Sequence, residues 1–476
     1  MPHSTAISVT LQQNLAVMDD MNNDFLFDEE SEEVVRRYEQ SVNDRRMPYF
    51  DVDELEVIAD YYLSCGKTKE SWKVIDLGLK LHPNNTALQT KRAKVYLESG
   101  EARKAFQILE HNSMPDDSES LLLKGDALMK LHRTKEAILI FQRLTEMPDI
   151  EMEAVCLDIA YIYIAGNDYQ QALNYLEKGL SVSPKNLDLL QEIAFCYEQL
   201  QQEDKAIDFY QRIIAINPYS VEAWFDIGLL YFNKAAYEKS LDAFDFVTVI
   251  DEKDMGGWLQ KGNALFHLNR FNEALICYHQ CEEEAVYEDL LFVFMAECHE
   301  KMEEYAKAEV YYSKAIAIND QNVEGWIGLG ICALETENYD ASLLHFQKAL
   351  TIEPENSEIW VYIAESEINI NHPDEALTAY QKAVALEPYQ PETWLSMGNL
   401  YVDLGSYQKA LDSYTEAFLQ DNTLENITLF LSITHYKLGN EATALALLEI
   451  AREAKPEAIE LFLEVCPEAN ILFEKD

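Results

Sequence analysis

Basic residues are scarce in this chain. Its 476 residues carry 37 lysines and arginines against 85 aspartates and glutamates, a formal net charge of −48. A polyanion repels phosphate backbones and anionic head groups, so neither nucleic-acid binding nor membrane-surface binding is expected. Long apolar runs are missing too. No stretch reaches the ~18 apolar residues that span a bilayer. Thr5, Ser8, Thr10, Gln12 and Gln13 interrupt the apolar residues between Met1 and Val17, and no basic start precedes them. A secretory signal is therefore not expected, and the cytosol is the simplest compartment.

Catalytic and metal signatures are also missing. No HExxH occurs, and no serine stands in a nucleophile elbow. Gly325, Gly328 and Gly330 do not follow a strand, so they form no phosphate cradle. The eight cysteines lack the paired spacing of a small secreted disulfide framework. Cys277 and Cys281 lie one helical turn apart with His279 between them, but no second ligand pair has suitable spacing for zinc. The expectation is no catalytic residue, no cofactor and no metal.

Hydrophobic residues still make up 48% of the chain, enough to build a core. Their spacing is periodic. Trp224, Trp258, Trp326, Trp360 and Trp394 share one 34-residue phase. With this tryptophan as position 4, repeats begin at 52, 86, 118, 153, 187, 221, 255, 289, 323, 357, 391 and 425. The spacing is 34 without exception from 153 onward.

Position 8 is small in every repeat, from Ala59, Ala93 and Gly125 to Gly398 and Ser432, and so is position 20, from Ser71 and Ala105 to Ala410 and Ala444. Position 24 is large and apolar, as in Phe141, Tyr210, Phe244, Tyr312 and Phe346. Two helices can approach closely only where small side chains meet, and large ones then fill the space around the contact. Cys196, Cys298 and Cys332 share position 10, as small core residues would.

Punctuation agrees with paired helices. Gly66, Gly100, Gly405 and Gly439 at position 15 suit a helix end. Prolines recur at position 32, and Asn85, Asn186, Ser220, Asp254, Asn322 and Asn356 at position 34 can cap the next helix. Position 17 is aromatic in six repeats, from Tyr169 to Tyr407, which accounts for five of the 27 tyrosines.

Trp394, Met397, Gly398, Tyr401, Ala410, Tyr414 and Ala417, with the 34-residue length and the closing proline, resemble the tetratricopeptide repeat signature. The resemblance covers twelve repeats from about Val52 to Ala458, and the chain is similar to long bacterial proteins made only of such repeats. It implies an all-α, right-handed superhelical solenoid of helix-turn-helix units.

Residues 1–27 read as disordered, and nothing upstream of Met18 or Met21 looks structural, so either could be the start. Residues 28–51 read as an amphipathic capping helix and linker, with Val34, Val35, Tyr38 and Val42 on one side of Asp28 to Asn43. The array follows over 52–458, with irregular spacing around 110–152 and a local kink expected from His111 to Ser118. Residues 459–476 read as a capping helix, begun at Glu457, and a tail.

The resemblance also implies that the first helix of each pair lines a concave groove through positions 2, 5, 9 and 12. Position 5 then supplies Leu122, Leu157, Phe225, Leu259, Val293, Ile327, Val361 and Leu395. Position 9 supplies Tyr161, Phe195, Leu229, Asn263, Glu297, Ile331, Glu365 and Asn399. Position 2 is often acidic, as in Glu119, Asp188 and Glu324. These acids also suit the positive end of their own helix, and position 5 also packs on the neighbouring repeat.

An apolar floor with acidic margins predicts protein partners whose segments carry apolar anchors and basic flanks. The alternative is a structural subunit of a larger complex that uses its outer helix faces. Some members of the family grip an acidic chaperone C-terminus with a lysine at position 5 and an asparagine at position 9. No repeat here has that lysine, and Lys94 is the sole basic residue at position 9, so this clamp is absent. His372-Pro373-Asp374 matches the J-domain tripeptide but lies in an inter-helix turn without the basic helix expected before it.

Overall fold

The computed structural model describes residues 29–43, 49–111, 114, 116–148, 150–282 and 288–470. Among them are 26 α-helices, one short 3₁₀ turn and no strand. Expectations of disorder before residue 28 and of a tail after residue 470 concern residues outside this description. The chain forms two compact units, Met1–Ala223 and Trp224–Asp476.

In the first unit the helix Glu29–Asn43 precedes five helix pairs, from Val52–Ser64 and Thr68–Leu81 to Leu187–Gln199 and Glu203–Ile216. The first member of each pair is called the A helix and the second the B helix. Each A helix packs on its own B helix, and that B helix packs on the next A helix. The N-terminal helix buries Val35 and Tyr38 among Phe50, Leu55, Ile58 and Tyr62. Val42, grouped with them by periodicity, is instead exposed. In repeat 2 the B helix is cut to Ala102–Leu109, where the sequence spacing is irregular.

The second unit holds nearly all of the helix Val221–Asn233 and its partner Tyr237–Ile250, then six further pairs. Those used below are Met255–His267 with Phe271–Gln280, Glu288–Lys301 with Tyr305–Ile318, Val323–Glu335 with Tyr339–Ile352, Ser357–Asn369 with Pro373–Leu386, and Pro391–Asp403 with Tyr407–Gln420. The tripeptide His372-Pro373-Asp374 is the start of a B helix, with Pro373 in its first turn, where a missing N–H costs nothing. The last helix, Ala458–Val465, closes the array by packing Ala458 and Phe462 on Leu429, Ile433 and Leu448.

The small positions do what close packing requires. All twelve side chains at position 20 are fully buried. Of the four serines at these crossings, three donate to a carbonyl on the facing helix, Ser71 Oγ to Ala59 O at 2.9 Å, Ser240 Oγ to Gly228 O at 2.8 Å and Ser432 Oγ to Ala444 O at 2.7 Å, and Ser342 Oγ lies 3.0 Å from Ser366 Oγ. A buried hydroxyl without such a partner would be destabilising. Where position 8 is glycine, the ring at position 24 lies on its backbone. A Cβ at Gly125 would sit 2.1 Å from the Phe141 ring, and one at Gly398 2.5 Å from the Tyr414 ring.

The helix turn is uniform although its sequence is not. Position 15 is left-handed in every repeat: at the four glycines, and also at His132, Asn167, Gln201, Ala235, Asn269, Glu303, Glu337 and Asn371. In each repeat the N–H of position 16 donates to the carbonyl of position 11 at 2.8–2.9 Å. This Schellman closure satisfies the last carbonyls of the A helix and imposes the strained conformation on residues that disfavour it. Caps at the other end follow the sequence pattern, with Asn85, Asn186, Asp254 and Asn322 side chains each accepting from the backbone N–H three residues on.

The tryptophans at position 4 do more than fill space. The indoles are half-buried, and they reach back to the loop that ends the preceding repeat. Trp258 Nε1 donates to Glu252 O at 3.0 Å, Trp326 to Asp320 O at 3.0 Å and Trp394 to Pro388 O at 3.3 Å. In repeats 8 and 10 the lysine at position 26 covers the position 4 ring of its own repeat, Lys314 at 4.9 Å from the centre of Phe292 and Lys382 at 3.9 Å from that of Trp360.

Candidate functional site

Positions 5 and 9 of the A helices form a face within each unit. In the first unit its opening stretch is ionic. Lys91, in repeat 2, is almost buried and its ammonium lies 2.9 Å from Asp60 of repeat 1 and 2.9 Å from Glu119 of repeat 3. Lys94 adds a longer contact of 3.5 Å to Asp60. Burial pulls the Lys91 pKa down, but hydrogen bonds with Glu119 and Asp60 outweigh it and hold it above the ordinary lysine value. Glu56 beside them is pushed up by burial, which exceeds the opposing pull of Lys91.

Further along the same unit, Leu122, Leu157 and Phe195 are half-buried and Tyr161 is 45% exposed. Burial raises the pKa of Asp158 and Glu192; Glu192 is half-buried between apolar side chains, whereas Asp158 keeps an exposed edge.

In the second unit Phe225, Leu229, Leu259, Asn263, Glu297, Ile331, Val361, Glu365 and Leu395 are half-buried, and Asn399 is exposed. Two expected members are not on the surface. Val293 is 1% exposed and packs with Ala308, Tyr312 and Leu329, and Ile327 is 8% exposed within the neighbouring core. Both are corrections: here the next repeat closes over position 5 and takes its side chain into the inter-repeat core.

The tyrosines at position 24 tie this face to the core. Tyr278 Oη donates to Asn263 Oδ1 at 2.9 Å and Tyr414 Oη to Asn399 Oδ1 at 2.7 Å. Tyr312 Oη donates to Glu300 Oε2 at 2.7 Å, and Tyr210 Oη to Glu198 Oε1 at 2.5 Å. The two asparagine amides are thereby oriented by a buried donor. Glu198 and Glu300, at position 12, were not singled out by sequence. The signal was a tyrosine rather than a phenylalanine at position 24 of the same repeat.

A cleft of about 380 Å³ opens between repeats 9 and 10, lined by Leu334, Glu335, Glu337, Tyr339, Glu365, Ile368 and Asn369. Burial, and then the charge of Glu335, raises the pKa of Glu365. Its ionised form is thus disfavoured in the folded chain, and stability is gained as pH falls through its raised pKa. Glu365→Gln should raise the melting temperature at pH 7.5, with the gain shrinking toward pH 5. A thermal melt of both proteins across that range checks it, and a lower melting temperature at pH 7.5 would contradict the assignment.

Among the described residues no group of three or more His, Cys, Asp or Glu side chains is placed to hold a metal ion. Cys277 and Cys281 are buried, and burial lifts their thiols to about 11 and about 12. No helix of the described residues is long and apolar enough to cross a membrane.

Paired helices with a 34-residue period and one repeated A-helix face define a helical repeat protein. Models of the tetratricopeptide repeat match residues 91–149, 163–227, 296–357, 363–420 and 395–459, more than half of the chain. The chain belongs to the tetratricopeptide repeat family.

Among solved structures it is similar to the hetero-tetramer of the APC/C proteins Cut9 and Hcn1, at 12% identity and a TM-score of 0.40, covering 84% of this chain and 98% of that one. It is also similar to yeast Tom70, at 13% identity and a TM-score of 0.41, covering 82% of this chain and 96% of that one. PilF of Pseudomonas aeruginosa is 19% identical with a TM-score of 0.40, covering 46% of this chain and 98% of its own. No curated protein matches the sequence.

Proposed function

We propose that this protein is an interaction scaffold, not an enzyme, that holds a segment of a partner protein along the A-helix face of positions 2, 5, 9 and 12. The cleft between repeats 9 and 10 carries this reading. Leu334, Tyr339 and Ile368 offer apolar contact, and Glu335, Glu337 and Glu365 surround it with carboxylate. A segment with an apolar anchor and a lysine or arginine beside it fits that lining, since a cation would relieve the desolvated Glu365.

The chaperone clamp does not fit, because no repeat carries a lysine at position 5. Seven of the eight cysteines are buried free thiols, which supports a reducing compartment such as the cytosol.

The test is affinity capture from native lysate with the wild type and a Leu259→Glu, Leu395→Glu variant, both half-buried sites on this face. Circular dichroism first confirms that the variant is folded. Partners that disappear with the variant support the groove; the same partners on both proteins would refute it.

A further inference from the structure

The charge of the chain reverses in its first three repeats. Residues 67–143 hold 14 lysines and arginines against 10 acids, whereas residues 144–476 hold 19 against 60. The reversal is ordered. Position 18, the second residue of each B helix, is Lys69 in Thr68–Leu81, Arg103 in Ala102–Leu109 and Lys135 in Thr134–Thr145. In the nine later repeats position 18 is never basic, and it is acidic at Asp204, Glu238, Asp340 and Asp374. Lys69, Arg103 and Lys135 are exposed, and none makes an ion pair with a described residue. The acids beside them are already held, Glu70 by Lys73 at 3.9 Å, Glu101 by Lys104, and Glu136 by Arg133 at 2.7 Å. The row is therefore cationic in excess.

An aromatic edge accompanies it. Position 21 lies three residues on, on the same helix face, and holds Trp72 and Phe106. Trp72 is half-buried against Tyr96, with ring centres 4.8 Å apart, and Arg92 lies over both rings at 5.5 and 5.8 Å.

The N-terminal helix delivers an acidic segment to this edge. Arg37 pairs with Glu54, near the start of Val52–Ser64. Burial, and then the nearby Cys65, Glu39 and Glu32, raise the pKa of Tyr61 near the end of that helix. The helix Glu29–Asn43 thus runs antiparallel to Val52–Ser64, and its first residue lies toward the turn that leads into Lys67 and Lys69. Residues 19–28, immediately before it, contain Asp19, Asp20, Asp24 and Asp28, no lysine or arginine, and the apolar run Phe25-Leu26-Phe27.

We infer that residues 19–28 of this chain lie along the position 18 row, with their aspartates on Lys69 and Arg103 and their phenylalanines on the aromatic edge. The reach is sufficient. Packed helices stand about 10 Å apart, so Lys69 is two steps from the N-terminal helix and Arg103 three. Ten extended residues span about 33 Å, which passes both and leaves Lys135 at the far end. An acidic segment of another protein meets the same cations, but a tethered one competes at an effective concentration of about millimolar. A second copy of the chain brings another 48 negative charges, which oppose its approach. The contact uses B helices and leaves the A-helix face uncovered.

The test replaces Phe25 with a photo-crosslinking phenylalanine in the full-length protein and maps the adducts by mass spectrometry. Adducts should fall within repeats 1 and 2 of the same molecule, with a yield that declines in salt. Lys69→Glu with Arg103→Glu, both exposed sites, should cut that yield about tenfold. Adding Asp24→Lys and Asp28→Lys should restore it, which a merely structural role for the two cations would not do. An equal mixture of isotopically labelled and unlabelled protein separates adducts within a molecule from those between molecules. No adduct, adducts between molecules or on later repeats, or a yield indifferent to the charge reversal overturns the inference.

Discussion

Replacing Lys91 with alanine should cost about 1–3 kcal/mol, because its ammonium is nearly buried but Asp60 and Glu119 are partly exposed, and should loosen the first three repeats ahead of the rest. The ammonium is the one cation placed between Asp60 and Glu119 at 2.9 Å each, and Glu56 lies beside it already raised in pKa by burial. Its removal leaves three carboxylates in one partly desolvated place. In a repeat array a local loss stays local, because each repeat contacts only its neighbours. Hydrogen exchange should therefore quicken in residues 52–130 and stay unchanged beyond repeat 5. Adding Asp60→Asn and Glu119→Gln should restore much of the loss, since Glu56 is then the one carboxylate of the three that remains. Uniform destabilisation, or none, would contradict the network.

Gly328→Ala should be the most damaging single methyl group in the second unit, at roughly 2–3 kcal/mol. The added Cβ would lie 2.1 Å from Cζ of Tyr312, a ring that is 3% exposed and whose hydroxyl holds Glu300 at 2.7 Å. The ring cannot retreat without surrendering that hydrogen bond or opening the core. Gly166→Ala is the control, because the nearest atoms to its new Cβ are at 3.4 and 3.7 Å and its backbone is not left-handed. Thermal melts should separate the two variants clearly, and equal melting temperatures would mean that the Tyr312 contact is looser than described.

The repeat register was legible because it rests on steric demands that allow little substitution. Only small residues fit at positions 8 and 20, and the asparagines and aspartates of position 34 act as caps wherever they occur. The turn was legible in four repeats from glycine alone. Ala235, Gln201 and Glu303 adopt the same left-handed conformation because the hydrogen bond from position 16 to position 11 dictates it, and that bond is a property of the backbone.

The candidate face was only partly legible. Val293 and Ile327 share position 5 with Leu259 and Leu395, yet the neighbouring repeat covers the first pair and leaves the second half-open. That difference depends on which residues the next helix brings, not on the position itself. The Lys91 network was hidden for a similar reason: its partners lie 31 and 28 residues away in two other repeats, and none of the three is unusual in its own helix.

The most direct test of the central claim places a photo-crosslinking amino acid at Leu395, on the A-helix face, and separately at Leu344, exposed on the B helix Tyr339–Ile352. Each full-length protein is then irradiated with a peptide carrying leucine anchors and lysine flanks. The account predicts an adduct at position 395 and none at 344. An adduct at 344 alone would mean that the groove is not the surface that receives such a segment.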